Sequence, residues 1–429
     1  MRRREFLSLL MASSSSACAT PVQTDSWLFP ESDKAGFPIL QGLTDETSTQ
    51  FSIVLPRDQR WKIEIDDLLD TQVEIFGREF SPYQVYKIYV SGLILSKTYI
   101  LKIRDEHGKV ADQREFSALD LSHRPVKLGF LSCALDLLHR DDIWLKLEEQ
   151  KAELLFFLGD NVYADRRSWL SKKPANPQQI WERYIETRLR LAFYYQRRLT
   201  PVLAIWDDHD FGGDNMGGAF AFKEESRIIF ETFFAQSERD NLLLRGPGIA
   251  KRFTAFGADF FLLDGRSFRD TSGDKNARLL GLQQEEWLFA HVRPKASFLL
   301  NGSMFFGAYT HKDAFEGQFA NNFPEFLRHL RQTEGLFCFA SGDVHFSELQ
   351  AIEESQLGYP TFELTSSSIH SMAVPGHQLR WSNPRRRAAT GSHNFCIFEG
   401  SFSDDRIEGE ITSYSAKSEE FRVKVNTHR

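Results

Sequence analysis

Five short segments carry side chains that could do chemistry together, and each follows an apolar run. They are Ser132-Cys133, Gly159-Asp160-Asn161-Val162-Tyr163, Asp207-Asp208-His209-Asp210, Asp264-Gly265-Arg266 and Ser341-Gly342-Asp343-Val344-His345. A lone Asp after a strand commonly caps a helix, and a lone Gly-Asp commonly makes a turn. Metal-capable side chains at four such ends fit metal-assisted hydrolysis of an anionic ester better. A phosphate ester resists attack by water, so a site must screen its charge, acidify a bound water and hold both reacting oxygens in line. Cations a few ångströms apart, bridged by a carboxylate, meet all three needs, and Asp160 is the candidate bridge. Aspartate oxygens suit Ca2+, Mg2+ or Mn2+; a thiolate, a phenolate and an imidazole suit a softer or more oxidised ion such as iron.

Each residue also has a plainer reading. Tyr163, three residues after Asp160, is a ligand or a packed loop aromatic. Cys133 is a ligand, an inert buried thiol or a nucleophile, and no adjacent His argues for a nucleophilic pair. His209 either ligates a cation or protonates the leaving oxygen; Asp208 and Asp210 on its two sides argue against an apolar setting. Arg266, and after it Arg269, would grip phosphate as planar forks or make ordinary ion pairs. His311, His370 and His393 lie in polar, loop-like sequence, and their spacing does not place them.

The elements that must position these residues are legible as continuous apolar runs: 126–131, 154–158, 202–206, 260–263 and 336–340. Such runs read as buried strands, and residues 141–153 read as a helix between the first two. The implied class is α/β, with its site on loops beyond the strand C-termini. Strand-like sequence returns at 395–398 and 421–425. Ahead of this domain (126–429), residues 38–120 alternate in short segments separated by turn formers, predicting a small immunoglobulin- or fibronectin-like β-sandwich without candidate ligands. Residues 20–37 read as a linker.

The chain has 429 residues with 52 Lys and Arg against 59 Asp and Glu, a net charge of −7. No dense basic run offers a surface for duplex nucleic acid. The 38 Phe predict a core of large rings. Residues 1–19 read as an export leader: Arg3-Arg4 gives a twin-arginine pattern, followed by a short apolar stretch and an Ala17-Cys18-Ala19 cleavage site. That stretch falls well short of the roughly 20 residues needed to span a bilayer. The expected location is therefore periplasmic or secreted, with the twin-arginine export machinery as a partner. Lipidation at Cys18 is the weaker alternative, because Ser15 stands where an aliphatic residue is preferred. The remaining Cys133, Cys338 and Cys396 are odd in number and cannot all be paired; Cys338 and Cys396, in apolar runs, read as buried hydrophobes.

The motifs together resemble the PhoD-like alkaline phosphatases and phosphodiesterases of the calcineurin-like metallophosphoesterase superfamily. FLSCALD, LGDNVYAD, IWDDHDFGGDN, LLDGRSFRD, LGLQQEEWL, ASGDVHFSEL and FELTSSSIHS carry the resemblance over nearly the whole chain. It implies a four-layer α/β/β/α domain behind the β-sandwich, and a centre of Fe3+ and Ca2+, with Zn2+ or Mn2+ as alternatives. The implied ligand pool is Cys133, Asp160, Tyr163, Asp207, Asp208, His209, Asp343 and His345. The expected reaction is hydrolysis of phosphate mono- or diesters by a metal-held hydroxide, with the metals and Arg266 on the phosphoryl oxygens and His209 or a metal-bound water assisting the leaving group. The substrate would be a small phosphate ester or a phosphodiester-containing polymer. Two departures stand out. Asp214 precedes Asn215 where the family usually has Asn alone, so that one ligand would be a carboxylate, and Gly265 replaces a Thr. Two rival readings are a non-catalytic, metal-stapled cell-envelope binding protein and a metal-dependent hydrolase of another ester.

Overall fold

The computed structural model describes residues 36–65, 69–137, 140–166, 173–239, 242–307, 314–373, 376–380 and 382–429. The leader, the linker through residue 35 and His311 lie outside the described residues. Among the described residues seven strands form the N-terminal unit: β1 (Ile39–Thr44), β2 (Ser48–Pro56), β3 (Lys62–Ile65), β4 (Asp70–Gly77), β5 (Tyr83–Ser91), β6 (Thr98–Arg104) and β7 (Val110–Ser117). Their sheets run β1-β2-β5-β4 and β3-β6-β7, the strand order of a constant-type immunoglobulin sandwich. Alternation buries Phe51, Ile53, Ile88, Tyr99, Leu101 and Phe116 between the sheets. Tyr99, at the start of β6, accepts the Ile94 amide on its hydroxyl at 2.9 Å, the tyrosine corner of such folds.

Fourteen further strands among the described residues build the large domain: β8 (Val126–Leu131), β9 (Leu154–Leu158), β10 (Val202–Ile205), β11 (Leu243–Arg245), β12 (Lys251–Ala255), β13 (Ala258–Leu262), β14 (Ala296–Asn301), β15 (Leu336–Ser341), β16 (Ser347–Ile352), β17 (Thr361–Thr365), β18 (Arg386–Thr390), β19 (Phe395–Ser403), β20 (Arg406–Tyr414) and β21 (Glu419–His428). One sheet runs β10-β9-β8-β19-β20-β21, the other β11-β12-β13-β14-β15-β17-β16-β18. The parallel strands β8, β9 and β10, and likewise β13, β14, β15 and β17, aim their C-termini the same way. Parallel pairing requires crossovers, and helices such as Asp141–Glu149, Pro177–Arg190, Leu282–His291 and Asn322–Gln332 lie in them. The first ends at Glu149 rather than at 153, because Lys151 turns left-handed at φ 53° and leads into β9.

The two sheets pack through phenylalanine rings, completing the α/β/β/α layering. Phe130 of β8 stacks 5.9 Å from Phe298 of β14, and Phe156 of β9 stacks 5.0 Å from Phe260 of β13. Such pairs add about 1 kcal/mol each beyond the apolar area they bury. The sandwich is bonded to this domain: the Leu43 amide donates to the Ala235 carbonyl at 2.8 Å, and Gln50 exchanges side-chain bonds with the Ser237 main chain at 2.8 and 3.1 Å. Among the described residues no helix is long and apolar enough to cross a membrane.

Candidate metal centre

The site lies where the strand ends of both sheets meet. Cys133 follows β8, Asp160 follows β9, Asp207, Asp208 and His209 follow β10, Arg266 follows β13, and Asp343 and His345 follow β15. The chain turns sharply there: Cys133, Asp160, Asn215, Asp343 and His345 all have φ between 53° and 73°, a region that costs a non-glycine residue free energy unless its surroundings hold it. Those turns direct side chains of separate strands to one point. Donor atoms of Asp160, Asp208 and His209, all buried, lie within 4.8 Å of one another. Cys133 Sγ is 3.7 Å from Asp160 Oδ2 and 3.5 Å from the Asp343 carbonyl. The Tyr163 ring stacks on His209 at 4.2 Å, with its hydroxyl 3.1 Å from Ser371 Oγ.

The two adjacent aspartates behave differently. Asp208 receives the Asn215 amide on Oδ2 at 2.6 Å, while its Oδ1 is buried without a hydrogen-bond partner. Asp207 accepts Arg266 Nε on Oδ1 at 2.5 Å, and its Oδ2 is likewise unpartnered. A side chain on Gly159 or Gly302 would run within 2.6 Å of Asp207, so two glycines make room for it. Asp210 is structural: it accepts the amides of Val162 and Asp207 at 2.9 and 3.0 Å and caps the short helix carrying His209. Asp214 is exposed and reaches the site through its main chain, its amide 3.4 Å from Asp165 Oδ2. The main-chain amide of Asn215 thus bonds Asp208 of the cluster, as that of His209 lies 3.3 Å from Asp160 Oδ1.

Burial penalises every charge here. It raises Asp160 well above the usual carboxylate range, reinforced by Asp208 and Asp207 and opposed by His209. It also raises Cys133 and Tyr163 well above their ordinary values, with Asp160 adding to both. Burial alone would depress His209, but Asp160, Asp208 and the bond to Asp165 outweigh it and lift the imidazole to about 10. His345 goes the other way, lowered to about 4 chiefly by burial. Its Nδ1 lies 2.8 Å from the Met372 carbonyl and must donate to it, which leaves the Nε2 lone pair as the ligand position.

These observations fit a cation. Buried carboxylate oxygens without donors are rare in folded proteins, and among the described residues the positive groups acting on the clustered carboxylates are Arg266, Arg269 and His209. The Ser132 and Ser367 hydroxyls, 3.3 and 3.2 Å from Cys133 Sγ, are placed to donate to a thiolate. Because burial raises Asp160 and its carboxylate neighbours lift His209, both sites favour their protonated forms, and a cation binding there competes with protons. Apparent metal affinity is therefore expected to rise as the pH is raised from about 6 to about 9, with proton release seen by calorimetry in buffers of different ionisation enthalpy. Affinity flat across that range, with no protons released, would contradict this competition between cation and protons.

Several contributors escaped the sequence reading. Asp165, fully buried, holds His209 Nδ1 at 2.7 Å; it lies within LGDNVYAD, but nothing in that run distinguishes it from a turn residue. Ser303 accepts from both Arg266 Nη2 and Arg269 Nη1, at 3.2 and 3.3 Å. Gly265 has a physical reason: a Cβ there would meet Asn301 Oδ1 at 2.6 Å, and Asn301 donates to the Ser303 carbonyl at 2.6 Å. Of the undecided histidines, His370 lies behind Cys133, its amide 3.1 Å from the Cys133 carbonyl and its ring edge-on to Trp144. His393 is half-buried, with Arg140 and Asp142 as its charged neighbours. Cys338 and Cys396 are buried free thiols.

Two packed sheets flanked by helices, with metal-capable residues across their strand ends, form an α/β/β/α domain behind an immunoglobulin-like sandwich. The chain is similar to the solved structure of PhoD, with a TM-score of 0.66 at 16% identity, over 92% of this chain and 93% of that one. It has a PhoD-like fold, as the motifs led one to expect. No protein-family model matches the chain, and no curated protein matches its sequence.

Proposed function

We propose that this chain is a metal-dependent phosphoesterase. One observation carries the reading: three buried donors converge within 4.8 Å at the strand C-termini, with orphaned carboxylate oxygens on Asp207 and Asp208. Asp160 and Asp208 would supply oxygen ligands to a harder ion, and Cys133, Tyr163 and the imidazoles of His209 and His345 would suit a softer or more oxidised one. Fe3+ with Ca2+ suits such a set, as would Zn2+ or Mn2+. Bound cations would supply charge screening and a water acidified toward neutrality.

The residues supply positioning. Asp165 fixes the His209 tautomer by accepting from Nδ1, which presents Nε2 to the site, either as a ligand or as the proton donor to the leaving oxygen. Arg266 holds Asp207 in place: Nε bonds its carboxylate, Nη1 the Met216 carbonyl and Nη2 Ser303. That engagement supports a positioning role for Arg266 rather than a grip on substrate. Rates on nitrophenyl phosphate, bis-nitrophenyl phosphate and nitrophenyl acetate test the reading, since a carboxylic-ester hydrolase would favour the acetate and a metal-stapled binding protein would hydrolyse none.

A further inference from the structure

Arg269 differs from its neighbour in what it touches. It is 7% exposed, yet among the described residues its guanidinium meets neutral partners: Nη1 donates to Ser303, Nη2 to Gln318 Oε1, and the carbon centre lies 5.4 Å from the Phe319 ring. Among the described residues no carboxylate lies within ion-pair distance of it, although Asp207, Asp208 and Asp343 are near enough to act on its charge. Burial, and then repulsion from Arg266, lowers its pKa to about 10. A buried cation without a charge partner is costly. Once the nearby carboxylates hold metal ions, they can compensate it even less.

The surroundings show where a partner would come from. Arg269 lines an open cleft of about 600 Å3 with Asn215, Met216, Phe220, Thr271 and Gln318. Asn215 at its edge bonds Asp208, so the cleft opens beside the candidate centre. The Gly218 amide bonds the Arg269 carbonyl at 2.9 Å, tying the arginine's main chain to the loop that carries Asn215. The space is far larger than a phosphate and falls in the range of pockets for organic ligands.

We propose that Arg269 is the anion-reading, specificity-determining residue: its unused N–H donors take a non-bridging oxygen of an organic phosphate ester whose organic group lies in this cleft. The assignment rests on the phosphoesterase reading, and it separates the two arginines, Arg266 orienting Asp207 and Arg269 contacting substrate. The fork geometry of a guanidinium suits phosphate, and a charged hydrogen bond of this kind is worth about 10- to 100-fold in binding.

The test uses metal-loaded protein with nitrophenyl phosphate as substrate and inorganic phosphate as competitor. In Arg269→Gln, KM and the phosphate inhibition constant are expected to rise together by about 10- to 100-fold, with metal content unchanged. Arg269→Lys, which keeps the charge without the fork, should recover part of that loss, and it carries the test if the Gln variant fails to fold. KM for nitrophenyl acetate, an uncharged ester, should not follow, whereas a merely structural role would move it too. Unchanged KM and phosphate inhibition, within about twofold, in a folded, metal-replete variant would overturn the assignment. If the wild-type protein hydrolyses no phosphate ester, the catalytic reading fails. Calorimetric binding of inorganic phosphate to wild type and Arg269→Gln then still decides the role of Arg269.

Discussion

Replacing Asp160 with Asn is expected to lower phosphoester hydrolysis by about 10²-fold or more while leaving the protein folded. Asp160 Oδ2 faces Cys133 at 3.7 Å, and Oδ1 receives the His209 amide at 3.3 Å. The carboxylate thus sits between the thiol side of the centre and the Asp208–His209 side, the position a bridging ligand needs. An amide is nearly isosteric but has one oxygen and no charge, so it cannot hold two cations. Folding is expected to survive, because burial disfavours the charged form of this carboxyl group, so an uncharged amide of nearly the same shape costs the fold little. Elemental analysis together with turnover checks this, and near-wild-type turnover with full metal content would remove Asp160 from the bridge.

Cys133→Ser is expected to be as severe, and to act through iron. The thiolate would be stabilised by two serine hydroxyls and a metal; a serine alcohol stays protonated at neutral pH and binds a ferric ion far more weakly. The variant should lose iron and most of its activity. Tyr163→Phe isolates the phenolate, because the ring that stacks on His209 at 4.2 Å is retained. With ferric iron on a phenolate and a thiolate, the wild-type protein should absorb visible light. Tyr163→Phe should shift or weaken that band at nearly unchanged melting temperature. A colourless, iron-free protein fully active with calcium or zinc alone would show that these two residues have another purpose.

The strand ends could be read from sequence for a physical reason. A strand buried on both faces must be apolar throughout, as 154–158 and 336–340 are, so the first polar residue after it marks where the sheet opens. The sandwich was legible through its period-two alternation. Partners distant along the chain leave no such mark. Asp207 and Asp208 are identical side by side in sequence, and what separates them is Arg266, 59 residues from Asp207, which bonds Asp207 Oδ1. Nothing in sequence announces that Asp165 answers His209, or that Ser303 accepts from both arginines. Asp214 entered the ligand pool through the resemblance alone; sequence does not show that the turn exposes it while the Asn215 main-chain amide bonds Asp208.

The most direct measurement strips the purified protein with chelator, refills it with Fe3+ and Ca2+, or with Zn2+ or Mn2+, and follows nitrophenyl phosphate and nitrophenyl acetate side by side. The expected result is that hydrolysis of the phosphate ester disappears on stripping, returns on refilling, and exceeds hydrolysis of the acetate. Phosphate-ester hydrolysis that survives complete metal removal, or that no metal supports, would contradict a metal-dependent phosphoesterase.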